Sequence, residues 1–255
     1  SQLVKRYADR SDSEEPPVEI VPGVHWIERI WDTKVYVLCE NDGVVVVDAA
    51  MPGRAPAIWQ QVRALGYQPA DLKAVWLTHG DVDHAGSAAA LKAKSGAELV
   101  AHRDDVPMVE GSTGRVLGPV HGRRWLEGAF DWLVQHVVRY TPVIVDHPVK
   151  DGDELGVWRV VHVPGHTAGS ICFYDAARGI LIVGDAIRHR RGKLSAPPRI
   201  LAPLTGAAVE SVSRIAELDF EVCCFGHGPP LVANAHARVR ALADSLSYRG
   251  RTDEP

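Results

Sequence analysis

His79-Gly80-Asp81-Val82-Asp83-His84 sets two imidazoles and two carboxylates within six residues. Nitrogen and carboxylate donors at that density suit a cation such as Zn, Fe or Mn. A polar turn with a helix cap at Asp83 is the plain alternative. One histidine would leave that alternative in front; four metal-ligating side chains beside glycines that permit tight packing do not. The run follows the apolar stretch Ala74-Val75-Trp76-Leu77, so a strand delivers it and a helix can begin near His84. Ligand sites of α/β architectures lie in such loops, at the carboxyl ends of strands.

Three more motifs share that context. Gly165-His166-Thr167, Gly184-Asp185 and Gly226-His227-Gly228 follow the strand-like runs Trp158 to Val163, Ile180 to Val183 and Val222 to Phe225. With them, His79-x-Asp81-x-Asp83-His84 resembles the H-x-H-x-D-H signature of the metallo-β-lactamase-fold superfamily, with Asp81 replacing the second histidine. His166, Asp185 and His227 match the remaining ligands of that family, and the resemblance covers Val18 to Val232. It implies an α/β fold: an αββα sandwich of two mixed sheets flanked by helices. The strand–helix–strand rhythm from the metal loop to Glu98–Ala101 fits such a layer.

The resemblance also implies a ligand set. His79, Asp81 and His166 would hold one divalent cation, Asp83, His84 and His227 a second, with Asp185 bridging both. Zinc is the expected metal, while the harder oxygen ligation of Asp81 admits iron or manganese. Two such cations acidify a bridging water toward hydroxide. Asp83 is the candidate catalytic residue, orienting that nucleophile or relaying its proton. Asp48, which ends the Val44 to Val47 run, is the candidate support behind the ligands. Arg188-His189-Arg190-Arg191-Gly192-Lys193 reads as a loop just after Asp185. Such a charge run is either solvated or binds an anionic group of the substrate, through Arg188, His189, Arg190 and Arg191. Seven other histidines (His25, His102, His121, His136, His147, His162, His236) lack ligand spacing and read as structural.

The expected activity is dinuclear, metal-dependent hydrolysis of a small ester, thioester or lactone. The alternative is a non-haem di-iron redox protein related to the flavodiiron branch, which carries a glutamate where Asp81 stands. No G-x-G-x-x-G or other cofactor-binding stretch accompanies the motifs, which favours hydrolysis. The stretch from Ser245 is too short for the glutathione-binding helical domain of hydroxyacylglutathione hydrolases.

Composition bounds the rest. With 255 residues and a net charge of −4, the chain has length for one α/β domain and no global pull toward nucleic acid or anionic membrane. The expected partner is a small-molecule substrate, and nothing indicates an oligomeric state. Cys39, Cys172, Cys223 and Cys224 show no C-x-x-C spacing and read as buried thiols of a cytoplasmic protein. No apolar run approaches the ~20 residues of a membrane span. Residues 1–17 read as a loose arm, and 18–255 as a single domain with a pocket-shaping insertion at about 103–142. Within the insertion, Gly111 to Gly122 reads as a loop. Trp125, Leu126, Ala129, Phe130, Leu133, Val134, Val137 and Val138 form a helical stripe, either core packing or a pocket wall. Val18 to Ile30 and Thr33 to Cys39 read as strands, with a turn at Asn41-Asp42-Gly43 before Val44. Helices are expected over Ala55–Leu65, Ser87–Lys94, Thr205–Leu218 and Ala233–Tyr248.

Overall fold

Val44-Val45-Val46-Val47 has no polar residue on either alternate set, so both faces of its strand must be covered. The computed structural model, which describes residues 16–28, 30, 33–114 and 141–252, meets that demand. Gly43–Val47 is β4 of a seven-stranded sheet, and all five of its residues are buried. Val45 and Val47 face a second sheet, and Val44 and Val46 face a helical layer.

The first sheet runs β1 (Val18–Val21), β2 (Val24–Ile27), β3 (Val35–Glu40), β4, β5 (Leu72–Trp76), β6 (Glu98–His102) and β7 (His147–Val149), in that order. Its first four strands pair antiparallel and β4 to β7 parallel. The second sheet takes β8 (Glu154–Leu155), β9 (Trp158–His162), β10 (Ile171–Asp175), β11 (Ile180–Ile182) and β14 (Val222–Cys224), ordered β14-β11-β10-β9-β8. Only β11 and β14 pair parallel there. Trp26, Tyr36, Trp76, Trp158 and Phe173 fill the space between the sheets. Outside the first sheet pack α1 (Ala55–Ala64) and α3 (Ala88–Ser95), through Ile58, Val62 and Leu91. Outside the second pack α5 (Thr205–Ile215) and α6 (Ala235–Thr252), through Val212, Ile215 and Val239. The fold is the expected αββα sandwich of mixed sheets.

Three details differ from expectation. Val18 to Ile30 is not one strand: Pro22-Gly23, with Gly23 at φ 77, turns it into the β1–β2 hairpin. The charged segment after Asp185 is a two-stranded ribbon rather than a loop, β12 (Arg188–Arg190) against β13 (Lys193–Ser195). Its turn, Arg191-Gly192, has φ 51 and φ 75, the paired left-handed residues of a type I′ hairpin. The last helix reaches Thr252, past the expected end at Tyr248. The arm over residues 1–15, the stripe Trp125 to Val138, and His121 and His136 lie outside the described residues.

Among the described residues no helix is long and apolar enough to cross a membrane. The four cysteines are free thiols, and Cys172, Cys223 and Cys224 are buried.

Candidate metal centre

Both sheets end their strands on the same rim. β4 leads into Asp48, β5 into the His79–His84 loop, β9 into His166, β11 into Asp185 and β14 into His227. The rim is tied across the sheets where the Tyr36 hydroxyl donates to the Phe225 carbonyl at 2.7 Å and Lys34 N–H to the Gly226 carbonyl at 2.8 Å. Gly226 must be small: a Cβ there would stand 2.8 Å from Cε1 of His84.

Asp48 orders the first two imidazoles. It sits at φ 63, a left-handed conformation that aspartate tolerates better than most residues. Its carboxylate accepts Thr78 N–H at 2.8 Å and the Thr78 hydroxyl at 2.9 Å. It also lies 2.8 Å from Nδ1 of His84. A buried carboxylate only accepts, so His84 carries its proton on Nδ1 and turns the Nε2 lone pair inward. Thr78, having donated to Asp48, accepts from Nδ1 of His79 at 3.0 Å, which leaves the Nε2 of that ring as its ligand atom too. The helix α2 (Val82–Ala85) then carries Asp83 and His84.

Four imidazoles and three carboxylates converge beyond this support. Oδ2 of Asp81 is 3.0 Å from Nε2 of His166 and 3.7 Å from Nε2 of His79. Oδ2 of Asp83 is 3.3 Å from Nε2 of His227 and 3.8 Å from Nε2 of His84. Asp185 touches both sets: its Oδ2 is 3.7 Å from His166 and 3.2 Å from His227, while its Oδ1 is 3.6 Å from His84. The two triads, and the mixed group His79, His84 and Asp185, each bring their ligand atoms within 4.8 Å of one another. Nε2 of His84 and Oδ1 of Asp185 are buried without a hydrogen-bond partner. Ligand atoms ~2.1 Å from a shared tetrahedral cation stand about 3.4 Å apart, close to this pair's separation. The donor set therefore fits metal cations.

Electrostatics agree. Burial alone would lower His84, yet the carboxylates of Asp48, Asp83 and Asp185 raise it to about 9. Burial is likewise overcome at His227, which Asp185 and Asp83 raise to about 10. Asp185 resists burial through His227, His84 and His166 and drops to about 2. Asp83, by the same contest with His84 and His227, falls well below the carboxylate range. The carboxylates thus draw protons onto these imidazoles, a positive charge that bound cations would replace.

Asp105, which sequence reasoning passed over, belongs beside the site. It is 2 % exposed and accepts from Gly80 N–H at 2.9 Å, the Thr167 hydroxyl at 2.7 Å and Gly169 N–H at 2.7 Å. Burial pushes its carboxyl up, against the pull of those donors. In sequence it reads as the cap of α4 (Val106–Val109), and it does hold that position, but its side chain makes no cap bond.

The charged ribbon divides its residues. His189 is buried, its Nδ1–H donates to the Pro229 carbonyl at 2.7 Å and its backbone N–H to the His227 carbonyl at 3.3 Å. Its ring lies 5.2 Å from that of Phe225, on the inward face of the ribbon. Strand alternation puts Arg188 and Arg190 on the opposite face, half-buried and exposed respectively, and Arg191 in the turn. A separate cluster, His102, Asp104 and His162, also gathers ligand-type atoms. Its two rings stack at 4.0 Å and 10°, so their in-plane lone pairs run side by side and do not converge. Nε2–H of His162 is spent on the Ala168 carbonyl at 2.8 Å. That pair is a joint between the sheets.

Comparison with known proteins agrees with the geometry. The profile of the metallo-beta-lactamase superfamily matches residues 30–227. The probable metallo-hydrolase YflN of Bacillus subtilis is 27% identical over 90% of this chain and 93% of its own length. A hydroxyacylglutathione hydrolase of Aeromonas hydrophila is 29% identical over 67% of this chain and 50% of its own. Among solved structures, BJP-1, a subclass B3 metallo-beta-lactamase of Bradyrhizobium japonicum, superposes with a TM-score of 0.68 at 21% identity, covering 94% of each chain.

Proposed function

The chain belongs to the metallo-beta-lactamase superfamily and is a metal-dependent hydrolase; from that premise we propose that it cleaves a small ester, thioester or lactone using two divalent cations. His79, Asp81 and His166 would hold one, Asp83, His84 and His227 the other, with Asp185 shared. The observation that carries this reading is the reach of Asp185 to ligand atoms in both triads. When bound, the cations supply an activated water and polarise the electrophilic oxygen.

The remaining work falls to side chains. Asp48 and Thr78 keep His79 and His84 in the ligating tautomer. Asp83 is suited to moving the proton. Its side chain is 30% exposed, against 12% for Asp81 and 5% for Asp185, so it is the carboxylate best placed to pass a proton to solvent. The Thr33 hydroxyl donates to its Oδ2 at 3.3 Å and holds its direction. Three carboxylates nearly offset two divalent cations, which weakens the Lewis acid and widens the choice of metal from zinc to iron or manganese. The face of Arg188 and Arg190 favours a substrate with a carboxylate or phosphate away from the reacting carbonyl.

The test is elemental analysis of protein purified without added metal, then a panel of esters, lactones, thioesters (glutathione thioesters included) and phosphodiesters. Two retained or titratable metals with turnover of a carbonyl substrate are expected. Iron retention with oxygen consumption and no hydrolysis would move the assignment to the di-iron redox reading.

A further inference from the structure

The loop carrying His79 and Asp81 and the loop carrying His166 are joined by a carboxylate that belongs to neither. Asp105 comes from the end of β6, and its two oxygens take three donors: Gly80 N–H, the Thr167 hydroxyl and Gly169 N–H. Gly80 is the residue between His79 and Asp81, and Thr167 directly follows His166. Two of the three bonds therefore fix the backbone or side chain adjoining a candidate ligand, and the third ties down the same loop three residues after His166. The second sheet's loop is tightened further, since Thr167 N–H donates to Ser170 Oγ at 3.0 Å and the two hydroxyls lie 2.8 Å apart.

Local space has been cleared for this bracket. A Cβ on Gly169 would stand 2.6 Å from Cγ of Asp105, and one on Gly80 would stand 2.7 Å from Cε of Met108. A side chain on Gly169 would also meet the Asp105 backbone N at 2.7 Å and drive its loop off the carboxylate, whereas one on Gly80 would first displace the flexible end of Met108. Chemistry also selects the residue type. All the partners donate, so the bracket must accept on both oxygens, as an ionised carboxylate does and an amide does not.

We propose that Asp105 is a positioning residue for the cation shared by His79, Asp81 and His166, setting the separation between its ligands from the two sheets. Asp48 acts on the His84 imidazole directly and on His79 through Thr78, whereas Asp105 acts through the peptide and hydroxyl groups beside the ligands. The loops it joins present the shortest distance in the cluster, 3.0 Å between Asp81 and His166. The proposal rests on the metal-hydrolase reading above, and on that reading's division of ligands between two cations.

The experiment is calorimetric titration of Zn²⁺ into metal-stripped full-length protein, comparing wild type with Asp105→Asn, Thr167→Val and Thr167→Ser. In Asp105→Asn one equivalent should weaken by about 10- to 100-fold, the range for losing a group that orients a ligand, while the other keeps its affinity. The weakened equivalent should be the one that survives in His84→Ala. Thr167→Val should weaken that same equivalent less, and Thr167→Ser, which keeps the hydroxyl, should restore it. A merely structural Asp105 would lower the melting temperature without separating the two equivalents. The proposal is overturned if both equivalents keep their affinity, if both weaken alike, or if Thr167→Ser behaves as Thr167→Val. Should Asp105→Asn fail to fold, the Thr167 pair decides. A wild type that binds no Zn²⁺ overturns the metal reading and this proposal together. A single equivalent that Asp105→Asn weakens keeps the bracket and removes the second cation.

Discussion

The two triads of the centre are built differently. His79, Asp81 and His166 are nearly sealed, with side-chain exposures of 1%, 12% and 3%. Asp83 and His227 reach 30% and 26%, and only His84 in that triad is fully buried. Behind the sealed triad Asp105 holds Gly80 N–H and the Thr167 hydroxyl, behind the open one Thr33 holds Asp83, and Asp48 serves both, touching His84 directly and His79 through Thr78. On the proposed two-cation reading, one position would offer fixed geometry and the other exchange with solvent and substrate. The contrast is a division of labour that mutation can test.

Removing a ligand should have the largest effect. His84→Ala and His227→Ala should each lose one metal and lower kcat/KM by at least ~100-fold, since the remaining ligands are left misplaced. Full metal content in both variants would end the contrast, because the open triad would then hold nothing.

The sealed triad is probed at Asp81. Asp81→Ala should weaken the metal it shares with His79 and His166 by about 10- to 100-fold. Asp81→His should keep two metals, raise zinc preference and move the acidic limb of the pH–rate profile to lower pH, as a more positive site acidifies water more strongly. If Asp81→Ala retains both metals at wild-type affinity, the carboxylate is not a ligand and the sealed triad lacks its distinguishing member.

The metal-free protein should carry a signature weighted toward the open triad. His84 and His227 have values raised from 6.5 to about 9 and about 10. Their contribution to stability is complete below pH 6.5 and is lost as pH rises through those raised values. Asp185 is lowered from 3.8 to about 2, so its contribution is present above pH 3.8 and lost as pH falls toward 2. The metal-free melting temperature should therefore peak at about pH 4–6.5 and fall by several degrees toward pH 10. Cations displace the imidazole protons, so metal affinity should rise over the same interval. Melting scans with and without chelator read both slopes, and a metal-free protein that gains stability from pH 6.5 to pH 10 would contradict the charge network.

The smallest effect is expected outside both triads. Arg188→Ala with Arg190→Ala should reduce the preference for anionic over matched neutral esters by about five-fold, the scale of a partly exposed ion pair. An unchanged ratio of kcat/KM values would mean that the ribbon face is only solvated.

The ligand motifs were legible because metal-ligating residues stood directly after buried strands, a placement that turn chemistry alone rarely repeats four times in one chain. The sandwich was legible for a related reason: Val44 to Val47 leaves no face for water. Asp105 was hidden by its own plausibility, since an aspartate before Val106-Pro107 reads as a helix cap and holds that position. The partners that reveal its other task lie 25 and 62 residues away. The β1–β2 hairpin was masked by apolar residues running through Pro22-Gly23. The ribbon was masked by arginine, an uncommon first residue for a type I′ turn. In that ribbon only pairing and alternation, absent from a charge pattern, separate the inward His189 from Arg188 and Arg190.

The distribution of the candidate ligands between the sheets also bears on folding kinetics. His79, Asp81, Asp83 and His84 leave the first sheet, and His166, Asp185 and His227 the second. Neither sheet offers all the candidate ligands of a cation position until the other has docked, so a metal clamp is expected to form late in folding. An interaction absent from the transition state slows unfolding and leaves the folding rate nearly unchanged. Chelation should therefore raise only the unfolding limb of a denaturant chevron, turning a long-lived native state into a short-lived one.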